Sequence, residues 1–150
     1  ATQKVVFNKA QVEENIEAAI AQVQGADREV TGMVISTEVS SALASLKVNG
    51  VRQYPELSFG ANPGDLNGLK MDINKTIKSN LSNDVGIVGD FENMFKWGYS
   101  KQIPFEIIKY GDPDNSGKDL KGYNQVYLRA EAYVGWGIMD GESFARLTTA

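Results

Sequence analysis

The stretch at residues 125–138, QVYLRAEAYVGWGI, alternates apolar and more polar residues along its whole length. This period of two is typical of a β-strand with one buried face. A continuous strand of this length would extend on the order of 40–50 Å, whereas ordinary strands end within about 10 residues. The pattern predicts one overlong C-terminal strand, which either bends at Gly135 and Gly137 or leaves the compact body of the protein.

Two helices are predicted upstream of this strand. Residues 7–25 carry apolar side chains at helical spacing, with Asn8 and Gly25 as caps. Residues 37–47 repeat the pattern, and Ser36 can cap them. Further strands are predicted at residues 33–36, 69–74, 85–89 and 103–107, and irregular loops at 51–68 and 111–119. Because helices and strands do not alternate regularly, we predict an α+β fold with a mixed sheet and flanking helices.

The composition excludes several classes of protein. The 150 residues fit one domain and contain neither cysteine nor histidine. Disulfide frameworks, Cys-His or Ser-His-Asp catalysis and most zinc, iron and copper sites are therefore excluded. The net charge of −4 disfavours nucleic-acid binding as the main function. No apolar run approaches the roughly 20 residues of a membrane span, and the start has no signal-peptide pattern, so we expect an intracellular protein without membrane contact.

One loop imitates a calcium-binding motif. Asp112, Asp114 and Ser116 fall at the first, third and fifth positions of an EF-hand-like loop, with Gly117 at the sixth. The twelfth position is Tyr123, where the motif requires a bidentate glutamate. We interpret the loop as a solvated acidic turn, and we expect no metal ion or other cofactor.

The remaining candidate residues have structural interpretations. The pair Glu13 and Glu14 is expected on a solvated helix face, and not in a catalytic cleft. Trp97 and Trp136 could stack on bases or sugars, but no basic track lies beside them, and Trp136 is expected in the core. Only carboxylate or lysine chemistry would be left to an enzyme, so we predict a non-enzymatic protein.

From about residue 31 to residue 147, the chain resembles the C-terminal part of tailed-bacteriophage major capsid proteins, which have the HK-ninety-seven-like fold. The resemblance depends on the order of several short motifs. These are GMVIS at 32–36, residues 43–50, LNG at 66–68, GDF at 89–91, NQVYLRAE at 124–131 and GESF at 141–144. The helix predicted near residues 9–24 also suits the family.

The resemblance implies a structural subunit that self-assembles into an icosahedral shell enclosing DNA. Residues 1–122 would form most of an axial domain, and residues 123–150 would return into a peripheral domain. Expected partners are further copies in pentamers and hexamers, other head proteins such as scaffold or portal, and nonspecifically packaged DNA. The expected location is the virion capsid, after assembly in the bacterial host cytoplasm. The family's N-terminal arm, extended hairpin loop and spine helix have no counterpart here, so the chain is expected to be a fragment that does not form shells alone.

Asn124 and Glu131 match positions that some family members use for an isopeptide cross-link between a lysine and an asparagine. The resemblance implies that Glu131 would take the lysine proton and that the lysine would lie on the missing hairpin loop. The alternative is that Asn124 only begins the strand and Glu131 pairs with a cation of a neighbour.

Two other functions stay open from the sequence. An encapsulin-like compartment would use the same fold to enclose cargo enzymes. A calcium- or ligand-binding α+β module would use the loop at residues 111–119.

Overall fold

The computed structural model describes residues 3–78, 83–100 and 103–149. The chain divides into two compact units, one of Ala1–Phe95 with Ile138–Ala150 and the other of Lys96–Gly137. The predicted division at residue 122 differs from this one, because the chain returns to the first unit at Ile138. Within the described ranges, no helix has the length and apolar character needed to cross a membrane.

The helices and strands are short. The described residues form two α-helices, α1 (Val12–Gly25) and α2 (Thr37–Ser45). Short 3₁₀ segments lie at Lys9–Gln11, Pro55–Gly60, Lys75–Ile77 and Gly141–Ser143. The strands are, in chain order, β1 (Gln3–Val6), β2 (Gly32–Ile35), β3 (Lys47–Val48), β4 (Val51–Arg52), β5 (Asp65–Leu66), β6 (Leu69–Ile73), β7 (Asp84–Gly89), β8 (Phe95–Tyr99), β9 (Phe105–Ile108), β10 (Tyr127–Ala130), β11 (Val134–Ile138) and β12 (Phe144–Thr148).

Six strands form one mixed sheet in the order β1-β12-β7-β2-β6-β5. The β1/β12 and β2/β6 pairs are parallel, whereas β12/β7, β2/β7 and β5/β6 are antiparallel. The prediction of an α+β fold with a mixed sheet is therefore confirmed. Strands far apart in sequence become neighbours, as when Gln3 of β1 lies opposite Ala145 of β12.

Both α-helices contribute to one hydrophobic core with the sheet. The register places Met33 of β2 opposite Met71 of β6 and opposite Val88 of β7, so these side chains share one face of the sheet. The buried helix positions recur at helical spacing, which is why each helix presents one apolar face. They are Val12, Ile16, Ala19 and Val23 of α1 and Val39, Ala42 and Leu43 of α2.

The opposite face of the sheet carries more polar side chains. Val34 and Ile87 lie opposite each other on it and are half-buried, as is Arg146 beside Ile87. At one end of this face Phe144 is buried under Phe91, and the two rings meet edge to face with centroids 5.3 Å apart. Such aromatic pairs stabilise a fold beyond their buried area alone.

The predicted helix at residues 7–25 begins later than expected. Asn8 does act as a cap, because its side chain accepts a hydrogen bond from Ala10 N at 3.0 Å. The turn that it caps is the 3₁₀ segment, and the α-helix starts only at Val12. The cap of α2 is confirmed, since the Ser36 hydroxyl accepts from Val39 N at 3.4 Å.

The prediction of one overlong C-terminal strand is wrong. Residues 125–138 contain the two strands β10 and β11, separated at residues 131–133. The break has a simple cause, because β10 pairs with β9 whereas β11 pairs with β8. To change its hydrogen-bonding partner from β9 to β8, the chain must end one strand and begin another. Gly135 and Gly137, the expected bending points, lie inside β11.

The loop predicted at residues 51–68 is also more regular than expected. Asn67 and Gly68 have φ values of 51° and 84°, and they join β5 to β6 in an antiparallel hairpin. Asn49 and Gly50, with φ values of 51° and 82°, join β3 to β4 in the same way. Two-residue Asn-Gly loops with positive φ at both positions match the twist of the flanking strands.

Candidate functional site

The second unit exposes an apolar strand surface. In the antiparallel pair of β9 and β10, Ile107 lies opposite Leu128 and Phe105 opposite Ala130, so all four share one face. Phe105 is 80% exposed and Leu128 is 69% exposed. A face of adjacent exposed apolar side chains is typical of a surface that contacts another protein or segment.

The other face of this ribbon is charged. Arg129 lies 3.8 Å from Glu106 across the ribbon and also pairs with Glu131, two residues along the chain. Arg129 and Glu131 alternate with apolar residues along the chain, and both contribute to this charged face. Since Arg129 is half-exposed, these pairs contribute at most about 1 kcal/mol each.

The two residues of the predicted cross-link have separate environments. Asn124 lies in a turn with a φ of 54°, and its N–H donates to Lys121 O at 3.3 Å. Glu131 is ion-paired with Arg129, and its side chain is 38% exposed. In the described residues no hydrogen bond joins Asn124 to Glu131. The cross-link stays a prediction.

The calcium-like loop uses its carboxylates to hold its own turn. Asp112 accepts hydrogen bonds from Ser116 N at 2.9 Å and from Gly117 N at 2.6 Å, and Asp114 accepts from Ser116 N at 3.3 Å. Burial acts to raise the pKa of Asp112, but these hydrogen bonds outweigh it and hold the pKa below its usual value. Nowhere in residues 3–78, 83–100 and 103–149 do three or more acidic side chains gather as a metal site would require.

Trp136 is not a core residue, contrary to the expectation from its strand pattern. Its side chain is 71% exposed, and Trp97 is 66% exposed and stacks on Tyr99 with ring centroids 5.9 Å apart. The alternation correctly predicts one apolar face, but β8 and β11 form only a two-stranded sheet. The burial of an apolar face requires a second layer, which sequence periodicity does not supply.

Asp90 is a buried carboxylate in the first unit, and its role is structural. It accepts from Asn93 N at 3.0 Å and from the Thr31 hydroxyl at 3.2 Å. Burial would raise the pKa of Asp90, but hydrogen bonds from Asn93 and Thr31 outweigh it and keep the pKa below the usual value. Asp90 therefore stays ionised and caps the turn that follows, before the chain becomes extended again at Phe95. A general acid would need the opposite shift.

A cavity of about 260 Å³ opens beside α1 in the first unit. Its apolar walls include Ile16, Ile20 and Leu43. At its rim the Tyr54 hydroxyl donates a 2.5 Å hydrogen bond to Glu13 Oε1. Burial, together with this bond, raises the pKa of Tyr54 to about 12, so the hydroxyl stays protonated and acts as a donor at neutral pH. Sequence patterns do not predict this cavity, because its walls come from helices and strands far apart in the chain.

The exposure of Phe59 is a second feature that sequence patterns do not predict. Its side chain is 104% exposed, and its φ of 59° lies in the left-handed region that bulky residues rarely adopt. The sequence signal was the turn-rich stretch from Pro55 to Gly60, but it does not distinguish a buried phenylalanine from an exposed one.

Comparisons with known proteins give consistent results. A family model described as the phage capsid family matches residues 1–149. A solved chain from Mycobacterium phage Ogopogo is 29% identical with a TM-score of 0.81, and the match covers 100% of this chain and 54% of that one. A chain from Gordonia phage Cozz is 22% identical with a TM-score of 0.78, covering 99% of this chain and 50% of that one.

A third similar structure is titled as the capsid of an empty GTA particle. It is 16% identical with a TM-score of 0.63, and the match covers 99% of this chain and 48% of that one. The chain thus spans about half the length of the solved chains that it matches. A search of curated proteins found no match. Since the family model covers nearly the whole sequence, the chain belongs to the phage capsid family.

Proposed function

We propose that this chain is part of a major capsid subunit of a tailed phage or prophage, which self-assembles into an icosahedral shell enclosing DNA. The observation that carries the proposal is the family match over residues 1–149. The exposed apolar face of β9 and β10 supports it, because a shell subunit needs surfaces that become buried on assembly.

The chemistry of the described residues supports a structural role without catalysis. Asp90, the buried carboxylate, is held ionised by hydrogen bonds, and Asp112 stabilises its own loop. In the cross-link, a lysine amine would attack the Asn124 side-chain amide, the new isopeptide bond would replace the amide C–N bond, and ammonia would leave. This step would join subunits without turning over a substrate.

The partners of the complete protein follow from the same proposal. The main partner is another copy of the subunit, in pentamers and hexamers, and the location is the virion capsid after assembly in the host cytoplasm. Scaffold and portal proteins would contact the assembling shell. DNA would meet its inner surface without sequence readout, in keeping with a net charge of −4.

The two compact units suggest a revised assignment of domains. We assign the first unit, with the six-stranded sheet and both α-helices, to the axial domain. We assign Lys96–Gly137, with its exposed ribbons, to the peripheral domain. In this assignment, the predicted domain boundary at residue 122 is replaced by two boundaries. The chain leaves the first unit after Phe95 and returns to it at Ile138.

Electron microscopy of particles from the complete gene, expressed with its neighbours, tests the proposal. We expect uniform closed shells, and nucleic acid inside them would distinguish a phage head from an encapsulin-like compartment. Folded protein that remains monomeric or forms only small oligomers would overturn the shell function and favour the ligand-binding module instead.

A further inference from the structure

Phe59 occupies an unusual position in the first unit. It is fully exposed and is held with φ 59° and ψ 23°, and Gly60 after it also has a positive φ of 77°. The left-handed region is unfavourable for a bulky residue, and the exposed ring is not buried within its own chain. A contact outside the chain would account for a phenylalanine at this position.

The segment that leads to Phe59 is anchored to the rest of the first unit. Leu57 is 1% exposed and belongs to the core. Arg52 Nη1 donates to Ala44 O at 3.1 Å and to Ser58 Oγ at 3.2 Å, which ties the residue before Phe59 to α2. Phe59 therefore projects from a well-anchored segment and is preorganised for a contact.

The 260 Å³ cavity beside α1 has the size and chemistry to accept this ring. Its walls are mostly aliphatic, and a cavity of about 150 Å³ with aliphatic walls is large enough to bind benzene. Because Phe59 is fully exposed, its own ring does not fill the cavity. The apolar lining side chains are Ile16, Ile20, Met33, Leu43, Leu66 and Leu69.

We propose that Phe59 of one subunit inserts into this cavity of a neighbouring copy. The inference rests on the proposed shell function, in which every copy supplies one Phe59 side chain and one cavity. A contact between two different patches of identical subunits is called head-to-tail. Successive copies joined in this way form a closed circle when the rotation from one copy to the next divides a full turn into equal parts. A buried aromatic anchor in a pocket is the usual form of an energetic hot spot.

The charges beside the two patches support this pairing. Glu17, on the exposed side of α1, lies at the rim of the cavity. Arg52 is held against Ser58, next to Phe59, by hydrogen bonds to uncharged acceptors. Glu56 lies in the same segment, and Arg52 is the charged side chain that donates to Ser58, the residue directly before Phe59. We expect Arg52 to approach Glu17 of the next copy when the Phe59 side chain occupies the cavity of that copy.

Cysteine cross-linking tests the geometry, and the chain contains no cysteine of its own. Two variants of the complete protein, Phe59→Cys and Ile20→Cys, are prepared in a cysteine-free background, mixed, assembled and oxidised. We expect a disulfide-linked dimer that contains one chain of each variant. Cross-links only between two Phe59→Cys chains, or no cross-link in assembled shells, would overturn the proposal.

Phe59→Gly separates assembly from folding. Glycine relieves the left-handed backbone, so the melting temperature of the subunit should stay unchanged or rise. The concentration required for assembly should nevertheless increase by on the order of tenfold or more. Val51→Ala, which removes another exposed apolar side chain, is the matched control and should assemble normally.

The outcomes separate this inference from the proposed function. Shells that form equally well from the wild type and from Phe59→Gly would overturn the contact and leave the capsid function intact. A folded wild type that forms no shells would overturn both.

Discussion

The Arg28 side chain donates a 2.6 Å hydrogen bond to the Asp140 carboxylate, across 112 positions of sequence. Arg28 follows the C-terminal end of α1, and Asp140 caps the 3₁₀ turn before β12. Asp140 also accepts from Glu142 N and from the Ser143 hydroxyl, each within 3.0 Å. One carboxylate thus joins the first helix to the start of the last strand.

This contact predicts a pH-dependent contribution to stability. The hydrogen bond from Arg28, with those from Glu142 and Ser143, lowers the pKa of Asp140 to about 2. Because the folded-state pKa is depressed, the contribution is complete above the ordinary value of 3.8 and is lost as the pH falls through about 2. Asp140→Asn, which keeps a capping oxygen, should unfold at lower urea concentration than wild type at pH 7 and approach it near pH 2.

The matched control for this prediction is Glu14→Gln, which removes an exposed carboxylate from α1. Its unfolding midpoint should follow that of the wild type across the same pH range. An Asp140→Asn midpoint that differs from wild type equally at pH 7 and pH 2 would contradict the assignment to the ionised carboxylate.

Gly89 should be intolerant of any side chain. A Cβ at this position would lie 2.3 Å from Ser143 O and 2.5 Å from Phe144 Cδ1, so β7 and β12 could not keep their spacing. We expect Gly89→Ala to lower the free energy of unfolding by about 1–3 kcal/mol or more. Gly135→Ala, whose Cβ would meet nothing within 4 Å, is the control in urea titrations and should change little.

Two leucines should respond very differently to the same truncation. Leu43 of α2 is 1% exposed, so Leu43→Ala should cost about 2–5 kcal/mol of unfolding free energy. Leu128 of β10 is 69% exposed, and Leu128→Ala should stay within about 0.5 kcal/mol in the unassembled chain. A large loss for Leu128→Ala, measured by chemical denaturation, would show that its apolar face is already covered in the monomer.

The tryptophans report directly on the second unit. Trp136 is 71% exposed, so the tryptophan emission of a Trp97→Phe variant, which keeps Trp136 as the one tryptophan of the sequence, should be quenched strongly by acrylamide. Emission protected from acrylamide in the folded, unassembled chain would instead place Trp136 in a core. The unfolded chain in urea gives the reference for full exposure.

Local patterns in the sequence predicted the elements whose neighbours are close in the chain. The apolar spacing located α1 and α2, and Asn8 and Ser36 were correctly interpreted as caps. These features depend on hydrogen bonds within a few residues, which composition and spacing encode directly.

The features that sequence patterns missed depend on contacts between distant residues. The alternation at residues 125–138 is consistent with one strand or with two, and only the separate partners β9 and β8 distinguish them. The exposure of Trp136 and Phe59 depends on which surfaces lack a covering layer, which periodicity does not encode. The same limit applies to the cavity beside α1, whose walls combine helix and strand residues.

The position of β12 inside the large sheet has a consequence for the timing of folding. β12 lies between β1 and β7, so Gln3–Val6 has no neighbour in the sheet until Phe144–Thr148 arrives. On the ribosome, the chain cannot complete its core while these late residues are still being synthesised. A nascent chain is therefore unable to present its finished surfaces, and the proposed association between copies would wait until this region is translated.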